Sequence, residues 1–337
     1  MYQIQEEEMA KKKANANTGK KQKQKRRSGL KNILIFLAVL IAVLGIGWYV
    51  IVSAVYSKMS YSEIESVKAA DVKANGVTNI LLIGNDSRDN SESGRSDAMI
   101  LLSISDQTKT VQMNSLLRDM YVEIPGHGGN RLNAAYAYGG AELLMETIEQ
   151  NLGIEVNRYV QVNFEAFANL VDAADGVELE LTNEEVQLVN GYLVEYNMLT
   201  GKPEGTDYLD ASASGLLHLN GPQALAYTRN RYIGTDFGRT ERQRKVLSAV
   251  MKKLPTALLK NPGQLINGLA ENLTTNLTTG ECYALSLQAW KLLGYEMVQG
   301  SVPQDGTWKD ANISGMAVLQ VDFDANRDYL RSSIYGE

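Results

Sequence analysis

The sequence is short of the residues on which several common chemistries depend. Its 337 residues include one cysteine and two histidines. With a single cysteine there is no intramolecular disulfide, so the fold must be stable without one. Cys282 lies in an apolar helical pattern, which favours a buried thiol over a nucleophile. His127 and His218 match neither the spacing of a zinc site nor that of a Ser-His-Asp triad.

Charged residues are missing altogether from residues 32–57. Within that stretch, residues 33–52 form an almost unbroken apolar run. At about 1.5 Å per residue, a helix of this length spans the roughly 30 Å hydrocarbon core of a bilayer. The run therefore predicts a transmembrane helix over residues 32–57.

A basic tail precedes this run. Residues 1–31 carry ten Lys and Arg against three Glu, a net charge of +7, and since the whole chain carries −6, the remainder carries −13. Positive charge marks the cytoplasmic side of a membrane helix. We therefore expect a single-pass cell-membrane protein with tail 1–31 in the cytoplasm, a stalk over 58–76 and a catalytic domain over 77–337 outside the cell. Contact of the tail with anionic lipid is favoured over nucleic-acid binding, because the tail lacks interleaved aromatic residues.

Hydrophobic periodicity in the body predicts an α/β fold, a single α-β-α layered domain with a central mixed sheet. A long surface loop is predicted over residues 191–214, which are rich in glycine, serine, aspartate and tyrosine. The predicted strands are residues 79–84, 98–105, 110–116, 158–162, 177–181, 297–302 and 317–321. The predicted helices are residues 134–151, 163–173, 221–230, 235–254, 264–272, 281–293 and 324–335.

Arginine is concentrated in two parts of the body. Nine of its twelve arginines lie within residues 79–136 and 220–247, where Lys109 and Lys245 are the only lysines. Arginine is preferred over lysine where a planar fork grips phosphate or carboxylate at two points. Arg239, Arg242 and Gln243 also share one face of a predicted helix. This pattern indicates an anion pocket, with surface ion pairs as the simpler alternative.

Carboxylates accompany these arginines at predicted strand ends. Asp86 follows the first strand, and Asp97 opens the second. Two carboxylates together with phosphate oxygens and water are a common way to hold Mg²⁺. Turn formation and helix or strand capping are the alternative roles for each aspartate alone.

Several ordered motifs resemble those of the LytR–CpsA–Psr family. Two departures, Arg131 where lysine is frequent and Leu116-Leu117 where Ile-Pro is frequent, leave the charged positions in place. The matching motifs are NILLIGNDSR (79–88), RSD (95–97), SLLRDMYVEIPG (115–126), RLNAAY (131–136), VDAADGV (171–177), LNGPQALAYTRNR (219–231) and DFGRTERQ (236–243).

The resemblance implies an extracytoplasmic phosphotransferase of the Gram-positive envelope. Its donor would be a glycopolymer, such as teichoic acid or capsule, on a polyprenyl-pyrophosphate carrier, and its acceptor peptidoglycan. Asp86 and Asp97 would hold Mg²⁺, or Mn²⁺ in its place, and Arg95, Arg239 and Arg242 would support the site. The implied catalytic residues are Asp97, Arg118, Arg229 and Arg231. The implied pyrophosphate-binding residues are Arg88, Arg118, Arg229, Arg231, Arg239, Arg242 and Gln243.

Two other functions fit the same residues. A polyprenyl-pyrophosphate hydrolase would use the same pocket with water as acceptor. A non-catalytic protein that binds lipid-linked glycans and regulates the envelope is the alternative outside enzymes, although a metal-ready aspartate pair would be superfluous in it. The expected path of the lipid tail is an apolar groove that includes Leu216, Leu217 and residues 224–227.

Overall fold

The structure, a computed structural model, describes residues 37–67, 73–74, 76–85, 96–230, 232–233, 235–260, 263 and 273–336. The chain divides into two units, residues 1–53 and 54–337. The described residues hold one helix long and apolar enough to cross a membrane, Leu37–Tyr56 (α1). It lies within the predicted span 32–57, while the predicted tail 1–31 lies outside the described residues.

A mixed eight-stranded sheet organises the body, as predicted. Its order is β1-β11-β8-β3-β4-β5-β12, with β2 paired to β3, and three two-stranded sheets accompany it: β6 with β7, β9 with β10, and β13 with β14. The strands are β1 Ser60–Tyr61, β2 Lys73–Ala74, β3 Val77–Asn85, β4 Ser96–Ser105, β5 Thr110–Leu116, β6 Tyr121–Ile124, β7 Gly128–Arg131, β8 Arg158–Val162, β9 Val177–Leu181, β10 Gly215–Leu219, β11 Leu273–Thr275, β12 Glu296–Val302, β13 Trp308–Ile313 and β14 Met316–Val321.

Helices cover both faces of this sheet. One face, here called the α2 face, packs α2 and α8 against side chains such as Leu81 and Leu101. The other, the α6 face, packs α6 and the 3-10 helix Ala289–Gly294 against Leu102 and Met113. The helices of the body are α2 Leu132–Leu152, α3 Phe164–Ala173, α4 Asn183–Thr200, α5 Gly221–Arg229, α6 Asp236–Lys260, α7 Thr279–Gln288 and α8 Phe323–Tyr335.

A second core lies on the far side of α6. Val246 and Val250 of α6 pack there against buried residues of α3, α4, α5 and the β9–β10 pair. Because α6 has apolar residues toward the sheet and toward this second core, it is clamped between two layers. Its first turn is thereby fixed relative to the sheet.

Two predicted segments differ from the structure. The predicted loop 191–214 is wrong in its first half, because α4 continues to Thr200. A capping box between Thr182 and Glu185 starts this helix, and Gly201 ends it in a left-handed conformation. The predicted stalk 58–76 contributes short edge strands, since β1 pairs with β11 and β2 with β3. The helix predicted over residues 264–272 lies outside the described residues.

Candidate active site

Three strands bring their ends to one edge of the sheet. The antiparallel register pairs Asn85 at the end of β3 with Ser96 at the start of β4, and Ile100 of β4 with Ser115 of β5. The end of β3, the start of β4 and the end of β5 therefore lie side by side. Arg118 follows β5 by two residues, so it comes to this same edge.

Arg118 occupies a position between two carboxylates. Its backbone is held in place because the Leu117 N–H donates to the Val302 carbonyl at 2.9 Å and the Asn133 N–H donates to the Arg118 carbonyl at 3.2 Å. Its guanidinium lies 3.6 Å from Asp119 and 3.8 Å from Asp236, and its side chain is 23% exposed. A partly exposed guanidinium that neighbouring carboxylates hold in place can bind an anion.

The first turn of α6 completes this edge. Asp236 forms a 2.8 Å ion pair with Arg239, whose side chain is only 3% exposed. The Phe237 ring stacks on Trp308 of β13 at 5.1 Å between centroids. The C-terminal β13–β14 hairpin thus helps to fix the helix start beside Arg118.

Arg242 supports the connection between α5 and α6. Its guanidinium donates to the carbonyls of Asn230 at 2.8 Å and Ile233 at 2.9 Å, and it lies 3.9 Å from Glu185. With a side chain 7% exposed, Arg242 lies beneath the surface and holds the chain on both sides of Arg231.

Arg229, the last residue of α5, is held by aromatic rings. Its guanidinium carbon lies 4.7 Å from the Phe164 centroid and 5.6 Å from that of Tyr192. Cation–π contact of this kind fixes the plane of the guanidinium while leaving its N–H groups able to bind an anion. Arg118 and Arg229 are thus two partly buried arginines supplied by different layers of the fold.

An apolar cavity of about 160 Å³ lies on the α6 face of the sheet. Strand residues Ile80 and Leu102 line one side of it, and Met251 of α6 with Leu292 line the other. The expected groove near residues 224–227 stays a prediction; these residues are buried, and Ala224, Ala226 and Tyr227 belong to the second core.

Comparison with known proteins assigns the chain. The sequence model of the LytR_cpsA_psr family matches residues 47–331. The chain belongs to this family. It is 34% identical over 281 residues to a polyisoprenyl-teichoic acid–peptidoglycan teichoic acid transferase TagU of Enterococcus faecalis, covering 80% of this chain and 84% of the relative. A TagU of Bacillus cereus is 33% identical over 269 residues, covering 75% and 82%.

Solved structures of the LytR_cpsA_psr family share the fold. One described as TagT bound to LI-WTA has 27% identity and a TM-score of 0.63, over 81% of this chain and 99% of that chain. Another, YwtF (TagT) with bound octaprenyl pyrophosphate lipid, has 26% identity and a TM-score of 0.59 over the same shares.

The structure describes some of the predicted site residues and not others. Arg118, Arg229, Arg239, Arg242 and Gln243 are all described, and Arg118 and Arg239 meet at Asp236. Only the backbone of Asp97 is described, in β4. The remaining predicted residues lie outside the described part of the chain: Asp86, Arg88, Arg95 and Arg231. Their roles in this family member stay predictions.

Sequence reasoning missed the two carboxylates beside Arg118. Asp119 adjoins Arg118 in the chain, and Asp236 opens the DFGRTERQ motif, but nothing in either motif indicates which residue the carboxylate contacts. Only the fold joins residues 118 and 236.

Arg244 was also left out of the predicted site. It is 7% exposed, and within the described residues its Nε and Nη1 atoms have no hydrogen-bond partner. Burial lowers the pKa of its guanidinium. Gln243 beside it likewise has a buried Oε1 atom without a partner among the described residues. Arg244 and Gln243 therefore add buried polar atoms to the part of α6 that carries Arg239 and Arg242.

The lone cysteine was expected to be a buried thiol, and in the structure Cys282 is partly exposed. Burial raises the pKa of Cys282 to about 11, and the neighbouring Glu281 contributes in the same direction. A thiol with this pKa is almost entirely protonated at neutral pH, so Cys282 is a poor nucleophile.

Proposed function

We propose that this protein transfers a teichoic acid-type glycopolymer from a polyprenyl-pyrophosphate carrier to peptidoglycan, forming a phosphodiester. The observation that carries the proposal is Arg118, half-exposed between Asp119 and Asp236 at the sheet edge. Support comes from relatives named as teichoic acid transferases and from a similar structure that holds octaprenyl pyrophosphate lipid.

The reaction breaks a phosphoanhydride bond and forms a phosphate ester bond. A hydroxyl of the acceptor glycan attacks the phosphorus that carries the donor sugar. The bond from that phosphorus to the bridging oxygen of the pyrophosphate breaks, and polyprenyl phosphate leaves with the bonding electron pair. Arg118, Arg229 and Arg231 offset the phosphate charge that would otherwise repel the hydroxyl. Asp97 accepts the hydroxyl proton, which passes to the leaving phosphate or to solvent.

A divalent cation belongs to this proposal. Asp86 and Asp97 would hold Mg²⁺, or Mn²⁺ in its place, because the pairing of Asn85 with Ser96 brings the backbone on either side of residues 86–95 to one sheet edge. When bound there, the ion would supply Lewis-acid polarisation of the phosphate oxygens.

The cavity on the α6 face suits the polyprenyl chain. Its lining is mostly aliphatic, from Ile80, Leu102, Ile104, Met251 and Leu292. It lies under the same sheet but toward the start of β3 and the end of β4, whereas Arg118 lies at the opposite ends of these strands, so a polyprenyl chain that reaches the cavity from the phosphate site would run along the sheet. Helix α1 would hold this site at the membrane, with the body outside the cell.

A reconstituted transfer reaction tests the proposal. Full-length protein in detergent micelles is supplied with a lipid-pyrophosphate-linked disaccharide, Mg²⁺ and peptidoglycan oligomers, and products are identified by mass spectrometry. We expect a phosphodiester-linked conjugate, and a loss of about 100- to 1,000-fold in turnover for Arg118→Ala. Arg331→Ala, which removes an exposed arginine of α8, is the matched control and should turn over normally.

Other products would reject the proposal. Free sugar phosphate without a conjugate would identify a hydrolase. Tight lipid binding without turnover would identify a binding protein. Undiminished transfer by Arg118→Ala would remove that residue from the mechanism.

A further inference from the structure

A second, larger groove lies beside the site. Its volume is about 560 Å³, and it runs between the start of α2 and the tip of the β13–β14 hairpin. The side chains and backbone that line it include Asn130, Arg131, Asn133, Tyr138, Met316 and Ala317. The transfer chemistry described above uses none of these residues.

Ion pairs connect this groove to the phosphate site. Arg131 lies 3.5 Å from Asp119, which lies 3.6 Å from Arg118, which in turn lies 3.8 Å from Asp236. Arg131 also donates to the Ala317 carbonyl, from Nη2 at 2.6 Å and from Nε at 3.0 Å. One arginine therefore ties the hairpin wall of the groove to the carboxylate that flanks Arg118.

The groove lining has the chemistry of a sugar site. Tyr138 is 48% exposed, its ring stacks on His127 at 4.8 Å, and its hydroxyl accepts a 2.8 Å hydrogen bond from Asn130. Asn133, which also lines the groove, is 6% exposed. An exposed aromatic face beside amide groups can contact the C–H faces and the hydroxyls of a saccharide.

The position of the groove indicates whether it binds the donor glycan or the acceptor glycan. The residues that begin α2 pack on the α2 face, whereas the apolar cavity lies on the α6 face. In phosphoryl transfer the attacking and leaving oxygens lie roughly in line on opposite sides of the phosphorus. The groove is linked to Arg118 through Asp119, so a glycan bound in it lies on the α2-face side of the phosphate site.

We propose that the groove between α2 and the β13–β14 hairpin binds the acceptor glycan strand. This inference rests on the proposed transferase function. It gives the C-terminal hairpin a role as one wall of the acceptor subsite, held there by Arg131 and by the stacking of Trp308 on Phe237.

Steady-state kinetics on the full-length protein test it. Ala317 and Gln320 are both exposed on β14, but only Ala317 lines the groove. We expect Ala317→Trp and Tyr138→Ala each to raise the acceptor KM about tenfold while the donor KM stays unchanged. Gln320→Trp, the same side chain outside the groove, should leave both constants unchanged. Thermal unfolding of each variant verifies that it is folded.

The outcomes separate this inference from the proposed function. A rise in the donor KM instead would assign the groove to the donor glycan, and unchanged constants would leave it without a glycan role; either result overturns the proposal. If wild-type protein transfers nothing, the proposed function fails, and direct binding of undecorated glycan oligomers, measured by calorimetry, decides the groove. Binding that Ala317→Trp abolishes would support a glycan site, and absence of binding by wild type would overturn it.

Discussion

The two faces of the central sheet are packed differently. On the α2 face, Leu81 and Leu101 are 0% exposed and belong to a large buried core. On the α6 face, Ile100 and Leu102 are 7% and 8% exposed, and most of their neighbours are only partly buried around a cavity of about 160 Å³. Protein interiors are normally close-packed, so retained space is a departure that calls for a reason. One face is closely packed, and the other retains an apolar space.

The covering elements account for this difference. The α2 face is covered by α2, α8 and the β6–β7 hairpin, whose Val122 and Ile124 join the core. The α6 face is covered partly by long side chains of the elements packed on it, including Met251 and Leu292. Methionine adapts its shape to a changing neighbour. The side chains that cover the α6 face can therefore adjust to an elongated apolar ligand.

Adjacent leucines of β3 test the comparison with the largest expected effect. Leu81 faces the closed core and Leu82 the α6 face. We expect Leu81→Ala to lower the free energy of unfolding by about 3 kcal/mol, since it leaves a cavity in a packed core. Leu82→Ala, the matched control, should cost about 1 kcal/mol, because its site is already loosely packed. Urea unfolding of both variants measures the difference, and equal losses would break the comparison.

Filling the cavity should have the next largest effect. Met251 of α6 lines it and is partly buried. Met251→Trp places an indole in space that the lipid chain would need, so we expect about a tenfold weaker donor affinity with little change in stability. Fluorescence titration with a lipid-pyrophosphate donor measures this.

A pair of outcomes would sharpen or reject that view. Leu285→Trp, at another position that lines the cavity, should also weaken the donor affinity. Unchanged donor affinity in both variants would show that the lipid lies elsewhere, while a large loss of stability would show that the space is too small for an added ring.

Much of this architecture could be predicted from the sequence. Strands β5, β8 and β9 match their predictions to the residue, since short apolar runs bounded by turn residues have few alternatives. Helix α4 could not be foreseen, because its glycine, asparagine and tyrosine content resembles a loop. Composition alone does not reveal that Val189 and Leu193 pack on the second core.

The site divides in the same way. Arg118 and Arg229 could be predicted because arginines cluster in motifs that resemble a known family. Their partners could not, because they depend on contacts that are distant in sequence. Phe237 meets Trp308 and Arg131 meets Ala317 only through the fold. The hairpin beside the site was for this reason without any predicted role.

The smallest expected effect concerns the ion pair that attaches α7 to the α6 face of the sheet. Glu281, in the first turn of α7, forms a 2.6 Å ion pair with Arg158 of β8, whose side chain is 4% exposed. Burial alone would raise the pKa of Glu281, but hydrogen bonds from Arg158 and Thr278 outweigh it, and the net pKa is lowered. The ionised form is thus favoured in the folded protein, which links the packing of α7 to pH.

The sign of this pH dependence follows from the lowered pKa. Stability from Glu281 is present above the unfolded pKa, near 4.5, and is lost as pH falls through the lower folded value. Glu281→Gln keeps a side chain that can complete the capping box with Thr278 but removes the charge. We expect it to lower stability by about 1 kcal/mol at neutral pH and by progressively less as pH falls below about 4.5. Thermal unfolding across this range measures the convergence, and curves that stay parallel would show that the α6 face is fastened without this charge.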